Sequence, residues 1–361
     1  MTKVLNSIAV DVREWALEND ASLDQAINSV LDARSEENFF AASEEVGIRN
    51  ALSHKLSGFS FLQQFLDDEE VEEIWVNQPD ELWYAKAGLH FRTAISFTGE
   101  ELLTLVERMI RASGRRLDRS NPFIDAQLEN GYRLHAVIPD ITRKHMSLNI
   151  RKFTSRVLTL NDLVARQMLT TSQSEYLVSE LKRGANLMVS GATQAGKTTL
   201  LTALLSSLEH SERVVSVEDT FELRCLLPDW VALQTRPASL EGKFDVDLRR
   251  LVRETLRMRP TRLVVGEVRG AEALDMLIAM NSGIPGLCTI HANSSEEALQ
   301  KLRTLPLLAG GNISSEFLES VIRTSVKLFV HCKRDSNGTR KVSSIMRTTG
   351  QADLGLEAVL V

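Results

Sequence analysis

The segment that most constrains this chain is Gly191-Ala192-Thr193-Gln194-Ala195-Gly196-Lys197-Thr198, set between the apolar run NLMVS and the helix-forming run TLLTALLSSLE. It fits GxxxxGK[ST] in a strand–loop–helix setting. Glycines let the backbone curl until successive N–H groups point at phosphate oxygens, and the start of the following helix adds positive dipole. In such a loop Lys197 bridges the β- and γ-phosphates and the Thr198 hydroxyl ligates Mg²⁺. Residues Gly191 to Thr198, with Thr199 beside them, are therefore the expected site for ATP and Mg²⁺. A glycine turn with no ligand is the alternative, but a chance match in a chain this long is roughly a one-in-a-hundred event.

Around this loop short apolar strands alternate with longer helical segments. NLMVS (186–190), RVVSV (213–217), RLVVG (262–266) and GLCTI (286–290) read as strands of a parallel sheet covered on both faces, an α/β domain. Ser172 and Glu175 form a capping-box pattern for a helix ending at Gly184. Asn337-Gly338 predicts a β-hairpin between KLFVHCKR and TRKVSSIM, and the last ten residues carry no readable signal.

Carboxyl ends of strands in such sheets face the ligand crevice. Glu267, just past RLVVG, is the expected general base or water-orienting group. Gly266 stands where a strand-ending aspartate is usual, so the metal needs other support. Glu218 and Asp219 after RVVSV supply acids there, and either could hold Mg²⁺ through water. His291 ends a fourth strand; a lone histidine is more often structural, but its strand-end position makes it a catalytic candidate. Seven arginines crowd residues 248–269. Some face solvent on a helix; others could read phosphate or a neighbouring subunit.

The first half differs in texture. Residues 1–80 hold 17 Asp/Glu against 5 Lys/Arg, whereas residues 101–160 hold 11 Lys/Arg against 6 Asp/Glu. Such asymmetry suggests separate modules. Ile8, Trp15, Leu23, Ile27, Val30 and Leu31 recur at near-helical spacing, predicting a helical module over 1–57. Residues 58–152 read as a mixed α+β domain. It has a strand pair around the turn NQPD, a helix ELLTLVERMIRASG stopped by Gly114, and strands in YRLHAVIP and HMSLNIRKF. Residues 153–164 are the expected linker, and 165–361 the nucleotide-binding domain. Arg119, Arg133 and Arg151 precede the linker, so they reach a nucleotide only by domain closure or from another subunit.

Apolar residues make up 43% of the chain and no run approaches a membrane span. No signal-peptide core begins it, and Cys225, Cys288 and Cys332 suit neither a disulfide framework nor a zinc site. The expectation is a reduced cytoplasmic protein.

Together these segments resemble the traffic ATPases of type II secretion, type IV pili and type IV secretion, most closely the CpaF family of Flp (tight-adherence) pilus assembly ATPases. Four motifs stand in family order: the phosphate loop GATQAGKTTLL, the "Asp box" VEDTFEL, the Walker B region LRMRPTRLVVGEVRG and the "His box" TIHAN. PDWVALQTRPASLEG and NSGIPGLCTIHANS are similar to CpaF-type members in particular. Gly266-Glu267 is the normal Walker B ending of that family. The resemblance implies a PAS-like N-terminal domain, with GYRLHAVIP and LNIRKF presenting arginines to nucleotide, and a RecA-like ATPase domain. It also implies a homohexamer at the cytoplasmic face of the inner membrane beneath a polytopic platform protein. The tetracysteine zinc insert of some members is missing. Two other functions compete. A nucleic-acid motor would use the basic 101–160 segment, but the chain is acidic overall and that segment offers no aromatic stacking platform. A low-turnover nucleotide switch or scaffold would not need Glu267.

Overall fold

The computed structural model describes residues 2–19, 21, 23–36, 47–49, 52, 59–111, 115–128, 130–152, 158–236, 245–350 and 354–361. The chain divides into two compact units, Met1–Thr154 and Ser155–Val361.

In the first unit, helices Thr2–Glu18 and Leu23–Glu36 bury Ile8, Ile27, Val30 and Leu31 together, positions that the helical spacing picks out, with Val12 beside them. A six-stranded antiparallel sheet follows, in the order β3-β2-β1-β6-β5-β4. Its strands are β1 Val71–Gln78, β2 Glu81–Lys86, β3 Leu89–Arg92, β4 Phe123–Gln127, β5 Arg133–Val137 and β6 Ser147–Arg151. The expected pair around NQPD is β1 and β2, turning at Pro79-Asp80 with Asp80 at φ 62°. The sequence reading missed β3 and β4. Exposed positions alternate with Ile124 and Ala126 along β4, and β3 is exposed throughout, so neither presents a dense apolar run. Helix Gly99–Ile110 starts at a Thr98–Glu101 capping box and lays Leu102, Leu105, Val106 and Met109 on Ile74, Leu134, Leu148 and Ile150. It ends at Ile110, and Gly114 lies outside the described residues.

The second unit opens inside the expected linker. Thr159 caps helix Leu160–Ala165 through a reciprocal pair of bonds with Asp162, so residues 160–164 are helix. Residues 153–157 lie outside the described residues. The next helix, Thr171–Lys182, is capped by Thr170 with Gln173, not by Ser172 with Glu175 as the pattern suggested. The two candidate boxes overlap, and the helix carries Leu177 and Leu181 into the core.

An eight-stranded sheet has the order β14-β13-β12-β7-β11-β10-β8-β9. Its strands are β7 Leu187–Gly191, β8 Val214–Glu218, β9 Trp230–Gln234, β10 Arg262–Val268, β11 Gly286–His291, β12 Leu328–Arg334, β13 Arg340–Thr348 and β14 Leu356–Ala358. The run from β12 to β9 is parallel; β13 and β14 are antiparallel additions at one edge. Apolar layers cover both faces: Leu187, Val189, Val264 and Val330 meet helix Lys197–Leu205 on one side. Met188, Val265, Cys288 and Phe329 meet helices Glu272–Asn281 and Ser315–Ser325 on the other. The hairpin at Asn337-Gly338 joins β12 to β13 as expected. β9, half-buried throughout, and β14 went unread.

Candidate functional site

Strand β7 is buried along its whole length and runs parallel between β11 and β12, with Gly191 beside both His291 and Cys332. A Cβ on Gly191 would lie 2.4 Å from the Cys332 carbonyl oxygen, so only glycine fits where the loop leaves the sheet. Gly196 holds φ 92° and opens helix Lys197–Leu205 without a side-chain cap. The first-turn N–H groups of an α-helix have no intrahelical acceptor. Uncapped ends with aligned N–H groups bind phosphate, and the loop fits that role.

Lys197 is buried under this loop, its Nζ donating to the carbonyls of Gly191 and Ala192, both at 3.0 Å. The same Nζ lies 3.2 Å from Nδ1 of His291, whose Nε2 lies 2.7 Å from Oε1 of Glu267. With an ammonium on one side and a carboxylate on the other, the imidazole takes one tautomer: Nδ1 accepts from Lys197 and the Nε2 proton is donated to Glu267. Lys301 donates to the His291 carbonyl at 2.6 Å. Three residues from β10, β11 and the loop thus form one polar line along the carboxyl edge of the sheet.

Glu267 reaches that line because β10 bulges. Val265 pairs with Cys288 and Val268 with Ile290, so three steps on β10 match two on β11. An inserted residue re-aims neighbouring side chains. Glu267 therefore lies within β10, not beyond its end, with its side chain about one-third exposed. The Thr289 hydroxyl donates to the Gly266 carbonyl at 2.6 Å and pins the bulge. A Cβ on Gly266 would lie 2.9 Å from Cγ of Glu218, so the glycine in the usual aspartate position makes room for the neighbouring acid.

Glu218 ends β8 and is buried. Its Oε2 accepts the N–H groups of Glu222 and Leu223, both at 2.8 Å, while buried Oε1 has no hydrogen-bond partner. Burial pushes its pKa up to about 7 against the pull of the two N–H bonds. Asp219 is engaged otherwise, in an ion pair with Arg269 at 2.6 Å and a contact to Thr235. Burial also raises its pKa, and Arg269 opposes the shift. The orphaned Oε1 and the half-buried Thr198 suit a hydrated Mg²⁺, which is bound through few carboxylates. Among the described residues there is no group of three or more His, Cys, Asp or Glu placed to hold a metal ion by themselves.

Within the first unit, Arg133 and Arg151 are direct cross-strand neighbours on the sheet face away from helix Gly99–Ile110. Acids flank them: Asp125 lies 3.5 Å from Arg133, and Glu73 is the cross-strand partner of Arg151. Arg119 pairs with Asp140 at 2.9 Å. Within 248–269, Arg249 and Arg253 share Asp275, Arg257 pairs with Glu254, and Arg262 is buried against Glu212. Much of that arginine density is therefore local pairing.

Residues 55–355 match the family described as Type II/IV secretion system protein. The chain belongs to that family. A Mycobacterium tuberculosis protein named for conjugal transfer is 35% identical to this secretion-family chain over 318 residues, covering 86% of this chain and 90% of the relative. The type IV secretion system protein VirB11 of Bartonella henselae is 28% identical over 325 residues, 79% of this chain and 90% of its own. The X-ray structure of the Legionella pneumophila ATPase DotB shares the mixed α/β fold, with TM-score 0.60, 19% identity and 81% of each chain covered. No helix among the described residues of this family member is long and apolar enough to cross a membrane.

The sequence reading missed Gln194's partners in this family member. Arg334 Nη1 donates to Gln194 Oε1 at 2.6 Å and Arg340 Nε to the Gln194 carbonyl at 2.9 Å. They lie some 140 residues from the loop, and their only sequence signal is an arginine at each end of the predicted hairpin turn.

Proposed function

We propose that this chain is an ATP hydrolase that works as a homohexameric motor at the cytoplasmic face of the inner membrane. Its mechanical partner is a polytopic platform protein, and the work is assembly of a tight-adherence (Flp-type) pilus or secretion of protein substrates. The observation that carries the reading is the line Lys197–His291–Glu267 beside an uncapped helix start. A nucleotide switch needs the loop but no water-orienting carboxylate held against a histidine. The CpaF-type segments PDWVALQTRPASLEG and NSGIPGLCTIHANS favour the pilus branch, with a PAS-like first unit and a RecA-like second.

In this mechanism the loop N–H groups from Ala192 to Thr199 hold the phosphates, and Lys197 exchanges its loop carbonyls for phosphate oxygens. Bound Mg²⁺ neutralises phosphate charge; Thr198 and, through water, Glu218 hold it. Glu267 orients the attacking water and accepts its proton as the new P–O bond forms and the bond to the departing ADP breaks. His291 holds the Glu267 carboxylate in position. Arg133 and Arg151, from the N-terminal unit of the same or an adjacent subunit, neutralise charge developing on the γ-phosphate.

Steady-state phosphate release tests the reading. Glu267→Gln should lower it by roughly two or more orders of magnitude while Mg·ATP binding persists. Negligible wild-type turnover would favour the low-turnover switch, and turnover unchanged by Glu267→Gln would move the water-orienting role to Glu218.

A further inference from the structure

Strand β12 runs beside β7 in register as far as Cys332 and Gly191, and there the two part. β7 turns into the phosphate loop, while β12 continues through Lys333 and Arg334 before the chain reverses. The reversal is stiff. Asp335 Oδ1 accepts the N–H groups of Asn337 and Thr339, the Asp335 N–H donates to the Thr339 carbonyl, and Gly338 takes φ 84°. β13 starts at Arg340, directly opposite Arg334. The hairpin therefore projects past the sheet edge and presents two guanidinium groups side by side at the loop.

Both reach the same residue. Gln194 is the one non-glycine residue between Gly191 and Gly196 with positive φ, 61°. A side chain in that region carries a steric penalty that surrounding contacts must offset. Arg334 holds its side-chain oxygen and Arg340 its carbonyl. The Arg340 stem also lies against Gly196, where an added Cβ would meet Arg340 Cδ at 3.4 Å and Met168 Cε at 2.9 Å. Met168 belongs to the same support, since its carbonyl accepts the Val342 N–H of β13 at 2.6 Å. The hairpin thus grips the loop at its apex and backs it beneath Gly196.

We propose that Arg334 and Arg340 are positioning residues for nucleotide: the β12–β13 hairpin clamps the phosphate loop, through Gln194, in its phosphate-receiving conformation. The inference rests on the ATP-binding reading of the loop. A peptide whose carbonyl is held by a guanidinium has its orientation fixed, and with it the direction of the adjoining Ala195 N–H. Releasing the clamp lets Gln194 leave positive φ, and the loop must be reordered each time nucleotide binds. The cost falls on affinity, because Glu267, which acts on water, and His291, which holds it, sit on β10 and β11 and not on the hairpin. Nothing in ordinary phosphate-loop sequence patterns asks for these arginines; the fold supplies them.

The test uses the full chain and Mg·ATP, with binding read by a fluorescent N-methylanthraniloyl ATP and turnover by phosphate release. Arg340→Ala and Arg334→Ala should each raise KM and Kd by roughly five- to tenfold, within the net worth of one hydrogen bond, with kcat within about twofold. Arg340→Lys should recover part of the loss. Gln194→Gly takes positive φ without penalty and offers Arg334 no side chain, so Arg334→Ala in that background should change Kd less than twofold. Wild-type Kd and KM in both arginine variants, or equal effects of Arg334→Ala with and without Gln194→Gly, would overturn the clamp. If an alanine variant fails to fold, Arg334→Gln and Arg340→Gln replace it, with the same expected loss and the same overturning result. Lys197→Ala separates the two readings. Wild-type protein that binds nucleotide only when Lys197 is present, with indifferent arginines, refutes the clamp alone. Wild-type protein that binds none refutes the loop assignment beneath it.

Discussion

Lys197 is held by two carbonyls and an imidazole before any phosphate arrives, and this sets what its loss should do. The ammonium is already largely desolvated, so exchanging neutral partners for phosphate gives a charge-assisted contact at little further cost in water lost. Lys197→Ala should therefore weaken Mg·ATP binding by at least about 2 kcal/mol, read as a Kd shift in equilibrium titration. Unchanged affinity would remove the loop from the account. Glu218 gives a second residue-scale prediction, with its sign fixed by burial. Its carboxyl titrates near 7 in the fold against an ordinary value of 4.5, so between these pH values the folded chain keeps a proton that the unfolded chain has released. Stability of the nucleotide-free protein must fall as pH rises through that window, by up to roughly 3 kcal/mol from this group. Hydrogen exchange of the parallel sheet at pH 5 and pH 7.5 reads this directly. Glu218→Gln should flatten the difference, and a variant with the same pH dependence as wild type would show that another group titrates.

At the scale of elements, the site is a consequence of strand order. β10, β11, β7 and β12 are consecutive neighbours, so residues separated by dozens of positions in the chain line up along one edge. Gly191 is where this alignment is least forgiving. Its missing Cβ faces a carbonyl of the adjacent strand, and neither backbone can yield without breaking the ladder. Gly191→Ala should cost roughly 1–3 kcal/mol of stability, the scale of overpacking, and should abolish nucleotide binding as β7 and β12 separate. Thermal unfolding and nucleotide titration on the same sample check both parts, and a stable variant that binds normally would show that β12 can move. The strand–loop–helix course of 187–205, the parallel strands and the placing of Glu267 at their carboxyl edge were legible in the sequence because fixed glycine spacing and fully apolar strands leave a local imprint. The bulge in β10 was not legible, since one extra residue is visible only against its partner strand. Thr170 escaped because the patterns Thr170–Gln173 and Ser172–Glu175 overlap in the sequence and both fit a capping box. β9 escaped because a half-buried edge strand need not be apolar. Arg334 and Arg340 were hidden by distance along the chain.

For the whole molecule, the proposed motor asks a unit without a phosphate loop to serve one that has it. Arg133 and Arg151 stand next to each other on one sheet face, and such a pair of like charges directly opposite is unfavourable unless acids or an anion lie near. Asp125 and Glu73 supply part of that compensation. If the proposed ring forms and they act on an adjacent subunit, the arginines of one subunit would complete the nucleotide site of another. Arg151→Ala and Lys197→Ala subunits, each inactive alone, should then regain some turnover when mixed, because some interfaces pair an intact arginine with an intact loop. No recovery at any ratio, with subunit exchange shown independently, would place the arginines outside the chemistry of a neighbouring subunit. Hydrolysis directed by Glu267 at the Lys197 loop is the central proposal for this chain, and the nucleotide retained by Glu267→Gln tests it most directly. After incubation with Mg·ATP and rapid removal of free nucleotide, the variant should hold ATP under conditions where the wild type holds ADP. Recovery of ADP from both proteins in equal proportion would contradict it.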